Sequence, residues 1–236
     1  MNIIFISSVG WFSIIERKEH FIKRFPLNWQ ILAISPFKLK EKSNYKNQYK
    51  NIKILKIPFL NNTNYKILEK FFSIKIIRTL IEIIISLWIC ILIKKKYKNP
   101  VIITENIYWA NILKVFKPIK IYFDYCDNFL AFKNTPLWAK EYFEKTISIS
   151  DTVFASSNFL FNQIKQINPS KKIYLIGNGV DTKHFDKDKI YFIPEKLKNI
   201  KSKIIGFMGT ISNWFDFELV KEIASQFKKE TILLIG

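Results

Sequence analysis

Short apolar runs recur along the chain, bounded by Pro, Gly, Asn or Lys: Asn2–Ser7, Trp29–Ser35, Ile52–Ile57, Val101–Glu105, Ile119–Asp124, Thr152–Ala155 and Ile173–Ile176. Each is rich in β-branched or aromatic residues and lacks the strict alternation of a sheet with one wet face. Each therefore predicts a strand buried on both sides. Helical spacing fills the intervals, over Glu16–Phe25, about Tyr65 to Lys96, Tyr108–Phe116, Pro136–Ile149 and Asn158–Ile167. Alternation of this kind predicts a parallel sheet wrapped by helices, the doubly wound α/β class.

The rhythm changes at IGNGVDTKHF, residues 176 to 185, where Gly177-Asn178-Gly179 predicts a tight turn because Asn and Gly tolerate positive φ. Lys- and Asp-rich chain follows, with Pro194 inside it, and reads as an interdomain linker. A second unit then opens with a strand over Lys203–Met208, a turn over Gly209–Trp214, a helix over Phe215–Phe227 and a strand over Thr231–Ile235. The expected organisation is a first Rossmann-like domain over residues 1–180, a linker over 181–202 and the start of a second Rossmann-like domain over 203–236. A domain of that class takes on the order of 100 to 150 residues. The expectation is that the chain stops inside it.

The segment LIEIIISLWICILI, Leu80–Ile93, is the most apolar of the chain. It is shorter than the roughly 20 residues of a bilayer span, and Glu82 and Ser86 interrupt it. Its first reading is a core helix in the layer outside the sheet. A second reading is a monotopic helix lying in a membrane interface, anchored by Trp88 and by the KKKYK that ends it.

Composition narrows the function classes. Hydrophobic residues make up 49% of 236, enough for real cores. The two cysteines, Cys90 and Cys126, form no disulfide framework and no Cys-x-x-Cys or Cys/His cluster, which points to a cytoplasmic protein without a zinc site. The first residues lack a basic n-region and read as a strand, not a signal peptide. The formal charge of +19 rests on lysine, with Arg17, Arg24 and Arg78 the three arginines. No nucleic-acid-binding motif accompanies it, so nucleic acid is not an expected partner. Most of these lysines read as a solvated surface, while those from Lys38 to Lys56 and from Lys94 to Lys98 also allow attraction to an anionic membrane.

Four stretches, in order, resemble the GT-B fold glycosyltransferases of family 4, or group 1, including a subgroup associated with surface polysaccharides. They are SSVGWFSIIERKEHFIKRF at 7–25, SDTVFASSNFL at 150–160, IGNGVDTKHF at 176–185 and IIGFMGTISNWFDFELVKEIA at 204–224. The resemblance implies transfer of a sugar from a nucleotide-sugar to a glycan or lipid-linked acceptor, with retention of anomeric configuration and no cofactor or metal. It also implies that the turns at Gly10 and at Gly209-Thr210 face one another across a cleft and contact donor phosphate or sugar. Backbone N–H groups converging at a strand-to-helix turn suit a diphosphate, although each glycine also reads simply as a turn.

Asp127 stands at a strand end near the place where family members carry a histidine. It is the candidate for orienting a hydroxyl or stabilising an oxocarbenium-like centre, against the alternative that Asp124 or Asp127 caps the next turn. His20 and His184 fall on the first helix and in the linker, where a solvated role is expected. Trp11 and Trp214 follow strand ends and are candidates for stacking on sugar faces. The chain departs from the family in lacking the Arg and Lys that usually follow the second glycine, and the family's paired glutamates would lie beyond Gly236. Donor affinity and activity are accordingly expected to be low. Two further readings stand beside the transferase: a non-catalytic module that docks on a membrane or partner, and a sugar-nucleotide epimerase of the same architecture.

Overall fold

The run Asn2–Ile6 forms β1, and its alternate side chains supply two different cores. Ile4 and Ile6 point into a cluster with Leu32, Ile34 and Ile102, while Ile3 and Phe5 point into another with Ile31, Ala33 and Ile22. A strand covered on both faces has no polar position to spare, which is why its sequence reads as continuous rather than alternating. The computed structural model describes residues 1–11, 16–36, 50–57, 66–93, 96–132, 135–189, 191–212 and 214–236, with side chains from 69 onward in the fourth of these segments. Much of the lysine-rich stretch from Lys38, together with Lys94 and Lys95, lies outside the described residues.

The chain forms two units, 1–179 and 180–236. In the first, β1 is followed by α1 (Arg17–Ile22), β2 (Gln30–Pro36), β3 (Ile52–Ile57), α2 (Lys66–Ser73), α3 (Lys75–Leu92), β4 (Val101–Thr104) and β5 (Lys120–Tyr125). Then come α4 (Ala139–Ile149), β6 (Thr152–Ala155), α5 (Asn158–Ile167) and β7 (Ile173–Leu175). The seven strands make one sheet in the order β3-β2-β1-β4-β5-β6-β7, and each pairing is parallel. This is the expected doubly wound α/β class. In the second unit, α6 (Glu195–Lys198) precedes β8 (Ile204–Met208), α7 (Phe217–Gln226) and β9 (Thr231–Ile235), with β8 and β9 parallel.

Two helical expectations are corrected. Tyr108–Phe116 is not a helix: turns lead into a 3-10 turn over Leu113–Phe116, closed by Lys117 at φ 49°. The long helix from about Tyr65 is divided at Ile74, which is extended at φ −82° and ψ 113°. The break is stabilised by Arg78, whose Nη1 donates to the carbonyls of Phe72 at 2.6 Å and Ser73 at 2.9 Å, satisfying acceptors that the end of α2 leaves open.

Arg78 and Glu82 also fix how α3 faces the body. Tyr142 Oη and Asn111 Nδ2 donate to Glu82 Oε1 at 2.6 and 2.7 Å, and the Arg78 guanidinium lies 4.9 Å from the Trp138 ring. Both charges are buried beside Ile85 and Ile89, while Ile83, Leu87 and Ile91 point to solvent. The apolar segment is thus a core helix on one face alone. Among the described residues, no helix is long and apolar enough to cross a membrane.

Ile89 and Ile91 are close in sequence and opposite in environment, with Ile89 fully buried and Ile91 72% exposed. Replacing a buried Ile by Ala costs roughly 2–5 kcal/mol, and an exposed one roughly 0.5 kcal/mol or less. Ile89→Ala should therefore lower the urea midpoint clearly and Ile91→Ala leave it almost unmoved. Equal effects would mean that α3 faces the body differently.

Candidate functional site

The strand order places β1 next to β4, with connections leaving in opposite directions, the topological switch point at whose carboxyl edge α/β sheets take their ligands. Ser7, Ser8, Val9 and Gly10 follow β1, and Glu105 and Asn106 follow β4. The sheet's hydrogen bonding continues past the strand ends: Ser7 N–H donates to Ile34 O at 2.9 Å and Glu105 N–H to Ile6 O at 3.1 Å. Asn106, fully buried, receives the Tyr108 N–H on Oδ1 at 2.7 Å and so turns the chain away after β4. These loops therefore rest on rigid structure.

Glu105 is 7% exposed, and its Oε1 contacts Ser7 Oγ. Ser7 Oγ also accepts from Val9 N–H at 3.1 Å and lies 2.9 Å from Val9 O. A hydroxyl has one proton, and Val9 O and an ionised Glu105 would both demand it. With Glu105 ionised the Ser7 hydroxyl donates to its Oε1, and with Glu105 protonated that hydroxyl is free to donate to Val9 O. Burial pushes the Glu105 carboxyl up to about 7 although Lys18 and the Ser7 hydrogen bond draw it down.

Beside this pair, Arg17 at the start of α1 reaches to the end of β5. Its Nε lies 3.1 and 3.0 Å from the two Asp124 carboxylate oxygens, and its Nη1 donates to Gly177 O at 2.9 Å and Asn178 Oδ1 at 3.2 Å. Burial pushes the Asp124 carboxyl above its ordinary value, and the Arg17 charge offsets part of that rise. The remaining Arg17 Nη2 is buried without a hydrogen-bond partner. Lys18, also buried, is held by Glu16 and lies 3.6 Å from Glu19. Sequence reasoning missed Glu105, Ser7 and the Arg17 fork. The available signal was an acidic residue closing the buried run VIITE, the same signal that singled out Asp124.

The residues expected at the site fall in both units. Gly10 is buried in the loop after β1, and residues 12–15 that follow it lie outside the described set. Trp11 is a correction: it is 2% exposed, its ring stands edge-on to Phe5 at 5.1 Å and its Nε1 donates to Ile34 O, so neither face is open to a sugar. Asp127 is exposed after β5; burial, the neighbouring Glu16 charge and the Cys126 contact act on its carboxyl, with the net effect upward. Asp124, the other half of the capping alternative, is engaged by Arg17.

In the second unit, Gly209, Thr210 and Trp214 line one cleft of about 740 Å³ with Phe207, Phe215 and Leu219. Asp216 caps α7 there, accepting from Leu219 N–H at 2.9 Å. The Gly209 N–H already donates to Ile235 O at 2.9 Å. What glycine contributes is bareness, because a Cβ would meet the Phe207 ring at 3.2 Å. Among the described residues, no three His, Cys, Asp or Glu side chains converge as a metal ion would need.

No family model and no curated protein sequence matches the chain. Solved structures do. Sucrose-phosphate synthase from Thermosynechococcus elongatus is similar over 100% of this chain and 62% of its own, with TM-score 0.68 and 12% identity. The Medicago truncatula protein UGT71G1, solved with UDP-glucose, is similar over 100% of this chain and 71% of its own, with TM-score 0.50 and 11% identity. A glycosyltransferase from Rickettsia africae is similar over 100% and 68%, with TM-score 0.51 and 16% identity. At these identities the likeness establishes the fold, a Rossmann-like α/β architecture of the GT-B type. The chain spans 62% of the length of the synthase it resembles.

A buried carboxyl raised from an ordinary 4.5 to about 7 keeps its proton in the folded chain over a range where the unfolded chain has lost it. Its stabilising contribution is complete below about pH 4.5 and is lost as the pH rises through about 7. Glu105→Gln, which keeps a donor and an acceptor at the site, should match the wild type near pH 4 and exceed it near pH 8 by about 3 kcal/mol. Urea unfolding of both chains at the two pH values measures this. A pH-independent difference would place Glu105 outside the buried, protonated state.

Proposed function

We propose that this chain is part of a glycosyltransferase that moves a sugar from a nucleotide-sugar to a hydroxyl of a glycan or lipid-linked acceptor, with retention at the anomeric carbon and without a metal. The observation that carries this reading is the switch point between β1 and β4 in a GT-B-type sheet, with Ser7, Glu105 and Arg17 held at its carboxyl edge. In the reaction, the bond from the anomeric carbon to the diphosphate oxygen breaks and the electron pair leaves with the diphosphate. The acceptor oxygen bonds to that carbon and its proton passes to the departing phosphate.

Asp127 is assigned the catalytic role, orienting a hydroxyl or opposing positive charge at the oxocarbenium-like centre. Gly10, Gly209 and Thr210 are assigned to donor phosphate or sugar. Gly10 and Gly209 serve by letting the ligand approach the backbone closely, and Thr210 is exposed in the second unit's cleft. Trp214, 64% exposed, supplies an apolar ring for a sugar face.

Incubating the chain with a panel of nucleotide-sugars and a glycan acceptor, while following nucleoside diphosphate release and product linkage, tests the assignment. Asp127→Asn should lower transfer by about a hundredfold or more, the usual loss when a group serving developing charge is removed, and leave donor binding by calorimetry unchanged. Trp214→Ala should weaken donor binding. Absence of any nucleotide-sugar binding would remove the transferase reading, and an epimerised donor formed without acceptor would replace it by the epimerase.

A further inference from the structure

The outward face of α3 is more apolar than the face it turns to the protein. Ile76, Leu80, Ile83, Leu87 and Ile91 recur at helical spacing along it, with Ile76 and Ile91 each 72% exposed and Leu87 57%. Ile84 and Leu92 widen the stripe, and Trp88 borders it at 48% exposure. The single acidic residue of the helix, Glu82, is buried with Arg78 on the opposite side. From Ile76 to Leu92 the stripe runs about 24 Å at the rise of an α-helix, with Phe71 and Ile74 exposed just before it. A contiguous apolar surface of this extent marks an interaction site.

We infer that α3 is a membrane-docking helix that lies in the interface of an anionic bilayer, with its apolar stripe in the acyl boundary and its flanking lysines at the headgroups. Charge selects this occupant. Lys96 and Lys98 are exposed beyond one end of the helix and Lys75 at the other, where it lies 3.9 Å from the exposed Glu141 of α4, and no exposed carboxylate lies on α3 itself. The chain as a whole carries +19. Joining two copies through this face would bring like-charged ends together, whereas an anionic surface gains roughly 1 kcal/mol for each lysine near it. Trp88, with an amphipathic ring at the edge of the stripe, suits the level of the headgroups. The helix does not cross: it is fixed to the sheet through Ile85, Ile89 and Ile93 on its inner side, so an interfacial depth of about 5–10 Å is the geometry it can adopt. This inference is independent of the reaction proposed above.

The full chain is mixed with vesicles of phosphatidylcholine, with and without phosphatidylglycerol, and sedimented. Wild type should pellet with the phosphatidylglycerol vesicles, more weakly with phosphatidylcholine alone and more weakly at high salt. Ile84→Glu/Leu87→Glu should reduce partition by about tenfold or more, since each side chain loses its apolar transfer, and Lys96→Glu/Lys98→Glu should reduce binding to the anionic vesicles alone. All four positions are exposed, and an unchanged melting temperature verifies folding of each variant. A second readout keeps the wild-type fold: fluorescence quenching by brominated lipid should be larger in the wild type than in Trp88→Phe. Vesicle binding that the double glutamate variant leaves intact, or no binding to phosphatidylglycerol vesicles, overturns the inference. So does a concentration-dependent dimer that the same variant dissolves while vesicles bind neither chain.

Discussion

A single guanidinium gathers the carboxyl edge of the sheet. Arg17 engages Asp124 at the end of β5 through Nε, and through Nη1 it engages Gly177 and Asn178, 160 and 161 residues further along the chain. β6 lies between β5 and β7, so the side chain spans the end of a strand it does not belong to. The shape of the group is what permits this: donors diverge from one rigid plane, and a lysine has a single point of charge. The pair is nearly dry, with side-chain exposures of 11% and 1%. Removing either partner would leave an uncompensated buried charge, at a cost of about 3–5 kcal/mol. The Gly177-Asn178 stretch that ends the first unit is therefore a partner of the site, and the tight turn at positive φ expected there does not form: residues 177–179 carry no turn and no positive φ.

The inner strands of the first sheet were legible because burial on both faces leaves a continuous apolar signature, and the observed ends fall within a residue of the expected ones; the expectation of two covered faces is corrected at the edge, where Tyr174 and Leu175 of β7 are exposed. Helix limits were less so, and the reasons are tertiary. Tyr108–Phe116 has helical spacing, yet its start is captured by the Asn106 side chain, which binds Tyr108 N–H and fixes a turn instead. The break at Ile74 depends on Arg78 reaching back to two carbonyls, which periodicity does not encode. The same limit applies to the site. An acid closing a buried run marks Asp124 and Glu105 equally, but the ties from Asp124 to Arg17 and from Glu105 to Ser7 cross 107 and 98 residues. Trp11 was placed correctly after a strand, and its local context held no sign that Ile34 O would capture its Nε1.

The second unit shows how one atom can change a glycine's meaning. A glycine at a strand-to-helix turn suggests a free amide for phosphate, but at Gly209 that amide completes the pairing of β8 with β9. The residue serves by what it lacks. The Phe207 ring occupies the direction a side chain would take, and the same ring lines the cleft with Trp214 and Phe215. Packing alone thus accounts for a glycine at this position, a demand that a glycine at a strand-to-helix turn does not reveal in the sequence.

In α3 the ordinary relation between polarity and burial is reversed, and the polar partners explain it. Glu82 answers donors from Asn111 and Tyr142, and Arg78 covers two carbonyls and the Trp138 ring. Rotating the helix to hide the Ile76–Leu92 stripe would strip those donors and carbonyls of their partners while bringing apolar residues against polar ones, and an unmade buried hydrogen bond costs about 1–3 kcal/mol. A buried network therefore sets the facing, and the stripe is left on the surface. A neutral chain with such a surface would tend to self-associate. At +19 each copy repels the next, so the lysine content opposes the self-association that an exposed apolar stripe favours.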